Sequence, residues 1–153
     1  MSEVQADWVL VSSVGSRRCA ISLRHVAETM RPLPVDPIRG TPPFVIGLST
    51  IRGAAVPVLD AGLLLFDVPC AREAARFVTL DVEGRRVALA VTSVVGVRRL
   101  PIESTSMLPP LLDAGPQAHI EAVARLDAAL HLLLRTAHLV PESTWAALDA
   151  SSA

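Results

Sequence analysis

The chain has 153 residues, a hydrophobic content of 51% and a net charge of −1. This length suits one ordinary domain or two small ones, and the apolar content is enough for a real core. The nearly balanced charge gives no strong attraction to nucleic acid or to an anionic membrane. Aromatic residues make up only 3% of the chain and Tyr is absent, so stacking of exposed bases is disfavoured. We therefore expect no nucleic-acid partner.

Targeting and redox features are few. Cys19 and Cys70 form neither a spaced metal pair nor a disulfide framework. The first eight residues lack the basic and apolar regions of a signal sequence. The best candidate for a membrane span, residues 54–66, is too short and contains Pro57 and Asp60. These features predict a cytoplasmic protein that does not insert into a membrane.

The first half of the chain has the pattern of short strands. Residues 8–14 are apolar and β-rich, residues 15–18 form a polar turn, and residues 19–23 alternate with the period of a half-buried strand. Residues 26–31 favour a further turn and strand. Proline then removes backbone donors and fixes φ, which predicts an extended surface connection. Its prolines are Pro32, Pro34, Pro37, Pro42 and Pro43.

Residues 41–60, TPPFVIGLSTIRGAAVPVLD, form the most distinctive segment. Two apolar runs flank Arg52-Gly53, and Gly accepts the positive φ of a tight turn, so the segment predicts a strand, a turn and a strand. Arg52 at that turn is either an ordinary solvated charge or a partner contact. Residues 61–66 favour one or two helical turns, and residues 67–75 a linker.

The strand pattern then repeats. Arg85 follows Arg17 by 68 positions (85 − 17), again between a strand-like run and an alternating one. Two copies are too few for a solenoid. They predict two related β-subdomains, residues 7–68 and 74–140, within a single domain, residues 1–153. Chance similarity between two apolar hairpins is the alternative.

The C-terminal part is less regular. Residues 101–117 are loop-rich, and residues 120–140 give two apolar segments that we interpret as strands, although their alanines leave helix open. Residues 141–150 predict a short terminal helix, with Pro and Glu near its start. Trp145 and Leu148, three apart, would share its buried face.

Catalytic and cofactor motifs are missing from the sequence. The scattered glycines match no phosphate-binding loop, and no Gly-x-Ser-x-Gly elbow is present. The four histidines are dispersed, so we expect no metal and no cofactor. Asp60 and Asp81 close apolar runs and are interpreted as surface charges at strand ends, with a spatially assembled acid pair left open. A high apolar content without catalytic motifs favours a binding module that uses grooves and sheet edges.

Residues 41–60 resemble the CheW family of chemotaxis coupling proteins. The family pattern there is Thr-Pro-x-Phe, Gly, an Asn-Leu-Arg-Gly turn, and an apolar strand with Pro that closes at Asp. The matching residues are Thr41, Pro42, Phe44, Gly47, Arg52, Gly53, Pro57 and Asp60. Thr50 and Ile51 replace the family's Asn and Leu, which leaves the bonding of the turn open. The similarity extends over about residues 7–149.

The resemblance implies a mainly β fold of two intertwined five-stranded SH3-like β-barrels with a short C-terminal helix. It also implies a non-enzymatic adaptor with two partners. One is the regulatory domain of a CheA-type histidine kinase, and the other is the cytoplasmic tip of a methyl-accepting chemoreceptor, whose helical hairpin enters the groove between the barrels. The residues that match partner-binding positions are Val26, Glu28, Gly47, Arg52, Val94 and Val97. Each valine could equally be a core residue.

Two other functions stay open at this stage. A β-domain of this kind could sense a small apolar molecule held in the groove between the barrels. A hydrolase could use an acid pair such as Asp60 and Asp81, although the missing motifs argue against it.

Overall fold

Eleven strands and two α-helices form the part of the chain that the computed structural model describes, residues 7–100, 105–107, 119–126, 128–136 and 139–151. The strands are β1 (Asp7–Val14), β2 (Arg17–Ser22), β3 (Val26–Met30), β4 (Val45–Ile51), β5 (Ala54–Asp60), β6 (Arg76–Val82), β7 (Arg85–Val91), β8 (Ser93–Leu100), β9 (Thr105–Met107), β10 (Ile120–Leu126) and β11 (Ala129–Leu134). The helices are α1 (Ala61–Phe66) and α2 (Glu142–Ser151). The prediction of a mainly β chain with a short terminal helix is confirmed.

The strands form two sheets that exchange strands between the two halves of the sequence. Sheet I has the order β8-β1-β2-β11-β10-β9, and sheet II has the order β3-β6-β7-β5-β4. In sheet I, β1 and β2 come from the first half of the chain, and β8, β10 and β11 come from the second half. In sheet II, β6 and β7 come from the second half, and β3, β4 and β5 come from the first half. This exchange is the intertwining that the resemblance implied, so the sequence repeats do not coincide with the sheets. Sheet I also carries a sixth strand, β9, which lies in the segment predicted as loop.

The exchanged strands occupy equivalent places. In both sheets the spatial order by repeat position is third, first, second, fifth, fourth. The second and fifth strands pair in parallel in each sheet, as β2 with β11 and β7 with β5, and the other pairings are antiparallel. The 68-residue repeat therefore corresponds to a pseudo-two-fold symmetry that relates the two sheets.

The central strands are buried on both faces. In β7, Val87 and Leu89 contribute to a shared core, whereas Ala88 and Ala90 contribute to a separate cluster within sheet II. The shared core takes buried residues from both sheets, among them Leu10, Ile21, Val78, Leu80, Leu89 and Leu134. The prediction of a half-buried strand at residues 19–23 was wrong for this reason, since Ala20 is fully buried in the cluster within sheet I. In β7, larger residues that face the shared core alternate with alanines that face the cluster within sheet II.

The β4–β5 hairpin closes in a two-residue turn. Arg52 and Gly53 have φ angles of 51° and 80°, which is the left-handed pair that matches the twist of a hairpin. Pro57 lies in β5 opposite Leu48, whose N–H and C=O bond the backbone of Asp36 at 2.9 and 2.8 Å. Because the backbone groups of Leu48 are directed away from β5, the missing N–H of Pro57 leaves no gap in this ladder.

Asp60 is not the surface charge that the sequence predicted. It is 1% exposed at the end of β5, where it caps α1 by accepting a hydrogen bond from the N–H of Leu63 at 3.0 Å. Its carboxylate also accepts bonds from the N–H groups of Cys70 and Ala71 at 3.0 and 2.8 Å. The carboxylate therefore ties α1 and the segment that follows it to the end of β5. Asp81, in contrast, is exposed and pairs with Arg86 at 2.9 Å.

We expect Asp60→Ala to destabilise the fold by about 2–4 kcal/mol, because several backbone donors lose their buried acceptor. The free energy of unfolding in urea measures this. Asp81→Ala is the matched control and should cost less than about 1 kcal/mol, as for other exposed ion pairs. Equal losses in the two variants would contradict the assigned role of Asp60.

Candidate functional site

Glu28 and Arg52, two of the six predicted site residues, meet in the structure. The Arg52 guanidinium donates from Nε to Glu28 Oε2 at 2.7 Å and from Nη2 to Oε1 at 2.8 Å. This two-bond geometry is the strong form of an arginine–carboxylate pair. Glu28 lies on β3 and Arg52 at the β4–β5 turn, near opposite ends of the order of sheet II. The ion pair therefore requires sheet II to curl until its two outer parts approach each other.

The pair is accessible to solvent. The Arg52 side chain is 72% exposed and that of Glu28 is 25% exposed. The hydrogen bond from Arg52 holds the pKa of Glu28 below its usual value, with the nearby positive charges adding to the effect. The same bond raises the pKa of Arg52. Both side chains are thus charged and pre-oriented at the surface.

Thr79 fixes the backbone of Glu28 and was not singled out by the sequence. The register of β3 with β6 shifts between Val26 and Glu28. At this bulge the Glu28 N–H donates to Thr79 Oγ1 at 3.1 Å, and the same hydroxyl donates to the Glu28 carbonyl at 3.3 Å. Thr79 is fully buried. A polar residue inside the apolar run of β6 was the available signal.

Gly47 lies inside the protein rather than at a partner surface. It is buried in β4 with a φ of 150°, and a Cβ placed there would overlap the Asp36 carbonyl oxygen. The close approach that Gly47 permits is made by the chain's own proline-rich segment, which pairs with β4 through Asp36 and Leu48. Gly47 therefore sets how closely that segment lies against β4.

The three valines divide by exposure. Val26 and Val94 are partly buried and pack against the shared core. Val97 on β8 is 46% exposed, and Val95 beside it is 36% exposed. Of the predicted valines, Val97 is thus the one with a substantial free surface. Trp8 on β1, 52% exposed, was not predicted as a site residue. A large aromatic residue in an opening strand of a chain with only two Trp was the signal for it.

The two equivalent sheet edges differ in chemistry. Glu28 on β3 and Gly96 on β8 are 68 positions apart and occupy the same repeat position, each at a bulge. In sheet II this position carries the ion pair with Arg52. In sheet I it carries a glycine between the exposed Val95 and Val97. The pseudo-symmetric scaffold therefore presents one charged edge and one apolar edge.

A metal site or a reactive thiol has little support in the described ranges. There, no group of three or more His, Cys, Asp or Glu is placed to hold a metal ion. Cys19 and Cys70 are buried, and burial raises their pKa values to about 12 and about 11, so both thiols stay protonated near neutral pH. His131 is buried against the Ala129 carbonyl, and His138 lies outside the described residues. No helix in these ranges is long and apolar enough to cross a membrane.

A titration tests the Glu28–Arg52 pair. Glu28 should titrate below the ordinary glutamate pKa of 4.5, and Arg52→Ala should return it toward that value. With its pKa lowered in the folded state, the pair stabilises the protein above the ordinary pKa and loses this effect as the pH falls through the lowered one. Carboxyl ¹³C NMR measures both midpoints. Arg86→Ala is the control and should move the midpoint much less, because Arg86 acts on Glu28 only through space.

We expect Gly47→Ala to destabilise the fold by about 2–4 kcal/mol, because the new methyl group must displace the Asp36 backbone. Gly40→Ala is the matched control. Gly40 has a φ of 79° with no atom within 4 Å of an added Cβ, so its cost should be limited to backbone strain of about 1 kcal/mol. Chemical denaturation compares the two. Similar losses would show that contact with Asp36 is unimportant.

Comparison with known proteins agrees with this architecture. Residues 9–143 match the model of the CheW-like domain. Protein FrzA of Myxococcus xanthus is 32% identical over 100 residues, which cover 65% of this chain and 61% of that protein, so the match spans less than two thirds of FrzA. The crystal structure of the scaffolding protein TtCheW from Thermoanaerobacter tengcongensis superposes with a TM-score of 0.76 at 21% identity, covering 88% of this chain and 92% of that one. The chain therefore belongs to the CheW-like domain family.

Proposed function

We propose that this protein couples the cytoplasmic tip of a chemoreceptor to a CheA-type histidine kinase by binding both at once. The observation that supports two partners is the divergence of the two equivalent edges. One repeat position holds Glu28 in an ion pair, and its counterpart holds Gly96 beside exposed valines. Surfaces of such different chemistry on one rigid scaffold suit two different partners.

The charged edge is the proposed kinase contact. Arg52 uses Nε and one Nη2 hydrogen for Glu28, so the other guanidinium donors can reach a carboxylate or carbonyl of the regulatory domain. Glu28 restricts the rotamers of Arg52 in advance, which lowers the ordering cost of binding. Val26 anchors the same strand to the shared core.

The apolar edge is the proposed receptor contact. Val97 offers exposed apolar area, and Val94 on the same strand packs against the shared core that lies between the sheets. A helical hairpin that docks there would bury apolar surface without first breaking any ion pair. Gly47 would act on both contacts indirectly, since it sets the position of the proline-rich segment beside β4.

In this proposal the protein acts by binding alone and catalyses no reaction. Binding receptor and kinase together raises the effective concentration of each for the other. The adaptor changes kinase activity only where its affinity differs between signalling states of its partners. Small-molecule sensing between the sheets has less support, because the layer between them is filled by the shared core. An acid pair that includes Asp60 also has less support, because its carboxylate is occupied by backbone donors.

Two variants should separate the two contacts. Arg52→Ala should weaken binding of the kinase regulatory domain about tenfold or more, because a pre-oriented charge is lost. Val97→Asp should weaken binding of a receptor-tip fragment by a similar factor, because a charged group would replace an apolar one at the contact and lose its hydration. Calorimetry or surface plasmon resonance measures each affinity with both ligands.

The controls come from the same sheets. Arg86→Ala removes another ion-paired arginine of sheet II, and Leu130→Asp changes another exposed apolar residue of sheet I. Both should retain wild-type affinities. Unchanged affinity of Arg52→Ala for both ligands would disprove the assignment of the charged edge, and unfolding of Val97→Asp would show that Val97 belongs to the core.

A further inference from the structure

We infer that Trp8 is the main anchor of the apolar edge, and that this edge takes a helix with an apolar stripe flanked by an acidic residue. The inference deepens the receptor half of the proposed function and rests on it. Its residues are Trp8, Val97 and Arg99, which are called the Trp8 strip below.

Strand register places these side chains together. In the antiparallel pairing of β1 with β8, Trp8 lies opposite Arg99, and Leu10 lies opposite Val97. Directly opposed residues project from the same face of a sheet, so Trp8 and Val97 are diagonal neighbours. Leu10, on the same face, is buried in the shared core. The Trp8 strip therefore continues the core between the sheets out to the surface.

Two neighbouring residues of the strip are large, apolar and exposed. Trp8 is 52% exposed and Val97 46%. Of the five large apolar side chains exposed in the described ranges, two belong to this strip, and Val95 lies next to it at the β8 bulge. Contiguous exposed apolar residues mark interaction sites, and tryptophan is the residue most enriched among those that dominate binding energy.

The backbone of β8 argues against a partner strand. The register with β1 shifts between Val11 and Ser12, opposite the segment that contains Gly96. Arg98 Nη1 donates to the Val97 carbonyl at 3.0 Å. A bulge and a side chain that covers a backbone acceptor both protect a sheet edge from strand addition. The partner therefore meets the face of the strip, where a helix can lay an apolar stripe.

Charge gives the second requirement. Arg99 is exposed directly across from Trp8, and within the described ranges its guanidinium makes no ion pair. An acidic residue next to the apolar stripe of the partner helix would meet this cation, and a basic one would be repelled. Trp8 and Arg99 together therefore specify the partner surface more narrowly than Val97 alone.

The test uses the full chain with two ligands from the source organism, a soluble helical-hairpin fragment of a receptor tip and the kinase regulatory domain. Trp8→Ala should weaken receptor-fragment binding about tenfold or more and leave kinase-domain binding within twofold. Leu130→Ala, which truncates an exposed apolar residue of the same sheet, is the control and should change neither. Arg99→Glu should weaken fragment binding, and changing the facing acidic residue of the fragment to Lys should restore it.

Fluorescence reports the contact directly. The chain has two tryptophans, so Trp145→Phe leaves Trp8 as the single emitter. Saturation with the receptor fragment should shift its emission to shorter wavelength, because the indole leaves water, and the kinase domain should not shift it.

The outcomes separate this inference from the proposed function. If the wild-type chain binds the fragment but Trp8→Ala behaves like Leu130→Ala and the emission stays unchanged, the Trp8 strip is not the contact and the adaptor role stands. Absence of rescue by the charge exchange would overturn the acidic-partner requirement. If the wild-type chain binds no receptor fragment, the receptor half of the proposed function fails together with this inference.

Discussion

The shared core between the two sheets is the constraint on which the rest of the structure depends. Sheets I and II each bury one face of their central strands in this layer and the other face in a cluster of their own. A chain of 153 residues can bury both faces only if its apolar content is high, and the 51% found here is used in this way. Strand exchange then makes the halves inseparable, because β3 and β8 each complete the sheet that the other half begins.

Two equivalent arginine–aromatic contacts hold the ends of this arrangement. The Arg17 guanidinium lies 4.9 Å from the centre of the Phe66 ring, and the Arg85 guanidinium 4.6 Å from that of Trp145. Phe66 lies in α1, which follows β5 of sheet II, and Arg17 lies in β2 of sheet I. Trp145 lies in α2, which follows β11 of sheet I, and Arg85 lies in β7 of sheet II. Such contacts contribute about 0.5–1 kcal/mol at exposed sites. Each contact therefore adds to the shared core in holding sheet I against sheet II.

A rigid pseudo-symmetric frame with unlike edges suits an adaptor. The interior is built alike in both sheets: each sheet adds residues to the shared core and fills a cluster of its own that mixes alanines with larger apolar residues. Divergence is concentrated where solvent begins, at Glu28 and Arg52 on one side and at Gly96 and its neighbouring valines on the other. The two edges belong to different sheets, so the simultaneous docking proposed above would use separate surfaces.

The sequence by itself determined the local features. Alternation and turn residues are short-range signals, and they predicted the β4–β5 hairpin, the β content and α2. The 68-residue repeat is found by comparing the chain with itself, and the matching motif indicated the family. Glu28 and Val97 were named as partner-binding candidates through the family resemblance, and Arg52 through that resemblance and its place in the turn. The tertiary structure alone decided which of these residues meet. The Glu28–Arg52 pair joins residues 24 positions apart, and the exposure of Trp8 depends on how β1 pairs with β8. The buried cap formed by Asp60 and the contact of Gly47 with Asp36 join nearer residues, but they depend on how the intervening segments fold back. Burial and charge pairing at these sites are set by neighbours that no local pattern encodes.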